Sequence, residues 1–129
     1  MDTKNFTFKT GVRTFEAAAY LRRCGVDIIR VKKWFQSDFA SFNLIADIVR
    51  KAEIISEGIA ISSYDEITKD ATIICAKAAD ELLTISDITA SFVLGNTGDK
   101  ICISGRSIGD INVQLILEKL GGGGHITLA

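Results

Sequence analysis

The apolar positions change period several times along the chain, and each change marks an element. From Thr14 to Arg23, Phe15, Ala18 and Ala19 recur at helical spacing, with Gly25 as a stop. Val26 to Phe35 reads as a short helix whose wet side carries Lys32 and Lys33. Ser37 is the candidate N-cap of a third helix, with Asp38 in its first turn. Phe39, Phe42, Ala46 and Val49 then make a core-facing stripe that runs to about Ala52. Ile54 to Ser62 switches to a β-like run, in which Gly58 marks a bulge or a close approach. Asp70 to Thr84 returns to the helical period. Ile74, Cys75, Ala78, Ala79, Leu82 and Leu83 give it a wide apolar face, with Asp80 at the edge as a salt-bridge partner.

The C-terminal third alternates and then turns helical again. Ile88, Ala90, Phe92 and Leu94 alternate with Thr89, Ser91 and Val93, as a half-buried strand does. Gly95-Asn96-Thr97-Gly98-Asp99 is turn chemistry, and Ile101 and Ile103 resume the alternation. Residues 88–94 and 100–105 are therefore expected to form an antiparallel hairpin. Asp110 to Leu120 reads as a helix capped by Asp110, with Val113, Ile116, Leu117 and Leu120 turned inward. The glycine run at 121–124 ends it, and Ile126-Thr127-Leu128 begins another strand. Residues 2–10, with Phe6 and Phe8 between polar neighbours, read as a strand end or loop. The whole pattern predicts an α/β fold: a mixed sheet with an antiparallel hairpin and packed helices.

Composition narrows the function classes. A length of 129 residues fits one domain, or one domain with part of a neighbour, and 47% hydrophobic content is ample for a core. The net charge is −1, and Lys and Arg are scattered rather than clustered, so there is no basic stripe to hold duplex DNA. No signal peptide or membrane span is legible, which leads to the expectation of a soluble, cytoplasmic piece. Cys24, Cys75 and Cys102 are odd in number and far apart in sequence, which excludes a CxxC site and a disulfide framework.

The residues with chemistry gather near the C-terminus. With one histidine and no close set of carboxylates, a complete metal site is not expected. Four glycines followed by His125 offer main-chain N–H groups that a ligand can approach closely. Just upstream, Arg106 brings a planar donor fork suited to phosphate, flanked by the hydroxyls of Ser104 and Ser107. Together they describe a phosphate or phosphodiester site. The plainer readings stand beside it: an exposed strand-end arginine, a helix-ending Gly121 and a solvated histidine. The run lacks the Lys-Ser/Thr of a P-loop and follows a helix, so it is not a dinucleotide fingerprint either.

Ser-Gly-Arg-Ser-Ile-Gly-Asp-Ile-Asn-Val-Gln at 104–114 and Glu-Lys-Leu-Gly-Gly-Gly-Gly-His at 118–125 closely resemble the DHH-associated C-terminal domain of the DHH phosphoesterase superfamily. The bacterial cyclic-di-AMP phosphodiesterases are the most similar branch. Ala76 to Leu83 and Ala90 to Gly95 agree with it, and residues 2–18 look like the end of a catalytic DHH domain. The resemblance implies that residues 1–52 are the end of the DHH domain plus a connecting helix. It implies that residues 53–129 are a substrate-binding domain that continues beyond Ala129. It further implies an intact, membrane-anchored hydrolase with two Mn²⁺ ions in its DHH domain and Asp2 as one of their ligands. Two such ions activate water and clamp phosphoryl oxygens. Arg106, Ser107, Gly122, Gly123, Gly124 and His125 carry over as substrate contacts. The implied partner is a cyclic dinucleotide or another phosphodiester, with a homodimer as the candidate assembly. This piece alone is expected to be inactive. Two other readings remain: a nanoRNA or single-strand exonuclease module, disfavoured by the lack of stacking aromatics on a basic track, and a non-catalytic phosphate-ligand module.

Overall fold

The computed structural model describes Phe6, residues 10–68 and residues 70–129. They divide into two compact units, Met1–Ser37 and Asp38–Ala129.

The first unit contains α1 (Val12–Arg23) and α2 (Ile28–Trp34), close to the two helices expected. The Asp27 carboxylate accepts from Ile29 N at 2.9 Å and Arg30 N at 3.2 Å, which satisfies two of the free donors at the start of α2. Neither helix buries a residue. The Phe6 and Phe15 rings stack with centroids 5.3 Å apart. The rest of the stretch expected as a strand end, including Asp2, lies outside the described residues, Thr10 excepted.

The second unit runs α3 (Phe39–Arg50), β1 (Glu53–Ser56), β2 (Ile59–Tyr64), α4 (Ala71–Leu82), β3 (Ala90–Asn96), β4 (Ile101–Ser107) and α5 (Val113–Glu118). The four strands form one sheet in sequence order. β1 and β2 pair antiparallel, β2 and β3 parallel, and β3 and β4 antiparallel. A parallel step cannot be made by a tight turn, and α4 is the crossover that makes it. α3 and α4 cover one face, around Ile45, Ile48, Ile74, Leu82 and Val93. α5 covers part of the other, where Val113 and Leu117 meet Ala90 and Phe92. Each fully buried aliphatic side chain in these layers contributes about 1.5–3 kcal/mol. Buried hydroxyls are satisfied by helix carbonyls: Ser62 donates to Ile48 O at 2.6 Å and Ser91 to Ala79 O at 2.7 Å.

The hairpin forms as expected, with Ala90 opposite Ser107 and Asn96 opposite Ile101. α4 also buries the expected face. Several boundaries differ. The run at 54–62 is two strands, because the chain reverses at Glu57-Gly58. Gly58 makes the expected close approach: a Cβ there would sit 2.7 Å from Thr89 Oγ1. α3 is capped by Asp38, whose carboxylate accepts from Ser41 N at 2.9 Å, and not by Ser37. Its buried residues are Ile45 and Ile48, while Phe39 and Phe42 are 79% and 61% exposed. The helix offers two apolar stripes, and packing against α4 selects the second. α3, read from sequence as a connector ahead of a boundary at residue 52, thus belongs to the core of the second unit. α5 is capped by Asn112, which accepts from Leu115 N at 3.2 Å, and not by Asp110. It buries Val113 and Leu117, while Ile116 and Leu120 are exposed.

Candidate functional site

β4 and the chain that follows it bring the candidate residues to one edge of the sheet. Alternation along β4 turns Cys102, Ser104 and Arg106 toward α4, and Ile103 and Gly105 toward α5. Gly105 lets α5 pack closely there, since a Cβ would lie 3.1–3.3 Å from Phe92, Val113 and Leu117 and those side chains would have to give by a few tenths of an ångström.

Arg106 is only 7% exposed, not the strand-end surface arginine of the plainer reading. Its Nε donates to Asp80 Oδ1 of α4 at 3.1 Å. Its Nη1 donates to Gly105 O at 2.9 Å and to the Ala129 main-chain oxygen at 3.2 Å. Asp80 is therefore the edge salt-bridge partner expected, and Arg106 is the group it serves. Among the described residues, Nη2 has no protein acceptor. A buried guanidinium with one amino group unmatched is poised to take an acidic ligand oxygen or water. Ser104, also buried, makes no hydrogen bond with the described residues through its hydroxyl.

Ser107 is committed to the turn. Its hydroxyl donates to Ile111 O at 2.7 Å and accepts from Gly109 N at 3.3 Å, which holds the chain between β4 and α5. The residue expected as a substrate contact thus uses its one proton internally, and only acceptor capacity is left.

The glycine run divides its labour. Gly121, at φ +83°, donates to Glu118 O at 3.1 Å, and Gly122 donates to Leu117 O at 2.9 Å. This pair of bonds is a Schellman stop, which satisfies the last carbonyls of α5. The N–H of Gly122, one of the residues expected as substrate contacts, thus closes the helix. His125 N donates to Leu128 O at 2.7 Å, and Leu128 N returns to His125 O at 3.1 Å. Among the described residues, Gly123 N and Gly124 N donate to no protein acceptor. They are the two main-chain donors the run leaves over. The His125 side chain is exposed.

Behind the loop, the chain returns along β4. Ser107 N donates to Thr127 O at 3.0 Å, and Gly105 and Ala129 exchange bonds of 2.6 and 3.0 Å. This is the further strand expected from Ile126-Thr127-Leu128, short and irregular, lying on the free side of β4. Leu128 bridges to both Arg106 and His125. Two strand spacings put the backbones of Arg106 and His125 roughly 10 Å apart. Through Leu128 the structure thus links the backbones of Arg106 and His125 along this edge, and Gly123 and Gly124 lie immediately before the paired segment.

Among the described residues, no three His, Cys, Asp or Glu side chains come together as a metal site. They do not fit the Mn²⁺ pair that the resemblance implies, and the proposed ligand Asp2 lies outside them. Among the described residues, no helix is long and apolar enough to cross a membrane.

Comparison with known proteins agrees with this picture. Residues 58–129 match the model of the DHHA1 domain. Over its full length the chain is 47% identical to a cyclic-di-AMP phosphodiesterase, GdpP, of Geobacillus thermodenitrificans. It is also 47% identical to one from Listeria monocytogenes, PdeA. It spans 20% of each of those relatives. The fold matches an exopolyphosphatase-related protein from Bacteroides fragilis with a TM-score of 0.84 at 17% identity, over 98% of this chain and 40% of that one.

Proposed function

Because the chain belongs to the DHHA1 domain family, we propose that it is the substrate-binding part of a cyclic-di-AMP phosphodiesterase. Its two similar relatives carry that name, and here the assignment rests on the residues along the β4 edge. The observation that carries the reading is Arg106: a buried guanidinium, fixed by Asp80 and two main-chain oxygens, with Nη2 unmatched. A phosphodiester oxygen is the partner that this amino group fits best. Gly123 N and Gly124 N supply neutral donors just before the segment that pairs with β4, and His125 adds a side-chain donor. The described residues hold no metal site, so the reading gives them binding and orientation of the phosphodiester, with hydrolysis left to groups elsewhere.

A charge-assisted hydrogen bond is worth about 1.5–3 kcal/mol, or roughly 10- to 150-fold in affinity. In an intact phosphodiesterase carrying this chain, Arg106→Ala and His125→Ala are expected to raise KM for cyclic-di-AMP by about tenfold or more. Unchanged kinetics in both variants would remove the site. Titrating the chain itself with cyclic-di-AMP, a short oligonucleotide and inorganic phosphate separates the ligand classes. Tighter binding of the oligonucleotide would favour an exonuclease module instead.

A further inference from the structure

Cys75 and Cys102 are far apart in sequence, yet α4 and β4 bring their sulfurs to one spot. That spot lies over Gly95, the cross-strand partner of Cys102. The point a Gly95 Cβ would occupy lies 2.4 Å from Cys75 Sγ and 3.2 Å from Cys102 Sγ. The absence of a side chain at Gly95 is what lets the two sulfurs come to that one spot. Both are free thiols. Cys75 is wholly buried and Cys102 only partly so.

We propose that Cys75 and Cys102 are a modification site: a reversible disulfide that staples α4 to β4, formed with a peroxide that enters at Cys102. The order follows from access. Burial, and then the neighbouring Cys102, pushes the Cys75 thiol up to about 12, so it stays protonated and is a poor first nucleophile. Cys102 Sγ attacks one peroxide oxygen, the O–O bond breaks, and the hydroxide that leaves takes the thiol proton as water. Cys102 is then a sulfenic acid. Cys75 Sγ attacks the Cys102 sulfur, the S–O bond breaks, and a second water carries off the Cys75 proton. Two thiols and one peroxide give one disulfide and two waters, with the sulfurs oxidised by two electrons and the peroxide reduced by two.

The staple sits where it matters for Arg106. α4 carries Asp80 and β4 carries Arg106, so the disulfide would tie together the two elements joined by that ion pair. The closed loop is of roughly 27 residues, for which chain-entropy accounting gives a rise in melting midpoint of about 10 °C.

The test uses the chain with Cys24→Ser, which removes the exposed third thiol. One equivalent of hydrogen peroxide should consume both thiols together and make the protein lighter by two hydrogens. It should link the peptides containing residues 75 and 102 and raise the melting midpoint by about 10 °C, all reversed by dithiothreitol. With Cys75→Ser added, Cys102 should accumulate oxygen adducts. With Cys102→Ser instead, Cys75 should stay unreactive in the folded chain. A protein that keeps both thiols, gains oxygen at Cys102 while Cys75 remains free, or melts lower when linked overturns the proposal.

Discussion

Replacing Gly124 with alanine puts a methyl group 2.5 Å from Ala129 Cα, 2.6 Å from Ala129 Cβ and 2.6 Å from Leu128 O. It does so at φ +144°, a conformation that side-chain-bearing residues rarely adopt. Two outcomes compete. The chain can keep its returning segment and carry about 1–3 kcal/mol of backbone strain plus the clash. Alternatively, it can release the segment and lose the three hydrogen bonds that tie Thr127 and Ala129 to β4, each worth about 1 kcal/mol net. The cheaper route sets the cost, so the expected destabilisation is about 2–3 kcal/mol. Gly121→Ala meets open space but sits at φ +83°, and should cost about 1 kcal/mol. Gly123→Ala meets nothing within 4 Å and has no positive φ, so it should change stability by no more than about 0.5 kcal/mol in either direction. Urea midpoints at constant slope would rank the three variants. Amide exchange would show Gly105 and Ser107 losing protection in Gly124→Ala alone. On the proposed reading, Gly123→Ala should still weaken cyclic-di-AMP binding, because its methyl would crowd a main-chain donor that has no protein acceptor among the described residues. If Gly123→Ala destabilises as much as Gly124→Ala, or if Gly124→Ala leaves the midpoint and both amides untouched, the division of labour within the run is wrong.

Two further outcomes follow from the polar contacts. Asp80→Ala strands the Nε of a guanidinium that is 9% exposed. Asp80 itself is 43% exposed and water can partly replace it, so the cost should lie near the low end of about 1.5–3 kcal/mol, with Asp80→Asn losing less; equal midpoints for Asp80→Ala and wild type would show that the pair anchors nothing. At the start of α3, the Ser41 hydroxyl and then the Ser41 N–H hold the Asp38 carboxyl below its ordinary value of 3.8. A depressed carboxylate stabilises the fold above its unfolded value, and that stabilisation is lost as pH falls through the lower folded one. Asp38→Asn should therefore flatten part of the acid loss of stability below about pH 4, and melting curves that fall with pH identically in the two proteins would exclude the cap as its source.

The elements that sequence made legible are those whose pattern has one solution. α4 repeats apolar residues over three turns with one wide face, and the hairpin at 90–107 alternates around strong turn chemistry. α3 has two stripes of similar apolarity, and nothing local ranks Ile45 and Ile48 above Phe42 and Ala46. The position of α4 ranks them. Ser37 and Asp38 are adjacent and both good caps, and so are Asp110 and Asn112, two positions apart in the turn before α5. Only where the first helical turn begins decides between them. Arg106 shows the same limit at the site. Its residue type pointed to phosphate, but its burial depends on Asp80 and Ala129, each more than twenty residues away in sequence. The meeting of Cys75 and Cys102 over Gly95 was hidden for the same reason.

The four glycines can now be accounted for one by one. Helix termination needs a left-handed residue followed by one more N–H, and Gly121 and Gly122 meet that need. The return of the chain onto β4 takes the N–H of His125 and the absence of a Cβ at Gly124. What is left is the consecutive pair of donors at Gly123 and Gly124, with no side chain over either. Had the helix ended without a Schellman stop, the free donors would be spread along a mobile stretch. Had the segment after His125 not paired with β4, the run would have no fixed wall. On the proposed reading, helix stop and added strand together preorganise the two donors beside Arg106. Binding at this loop should then depend on the integrity of residues 126–129 as much as on the glycines themselves.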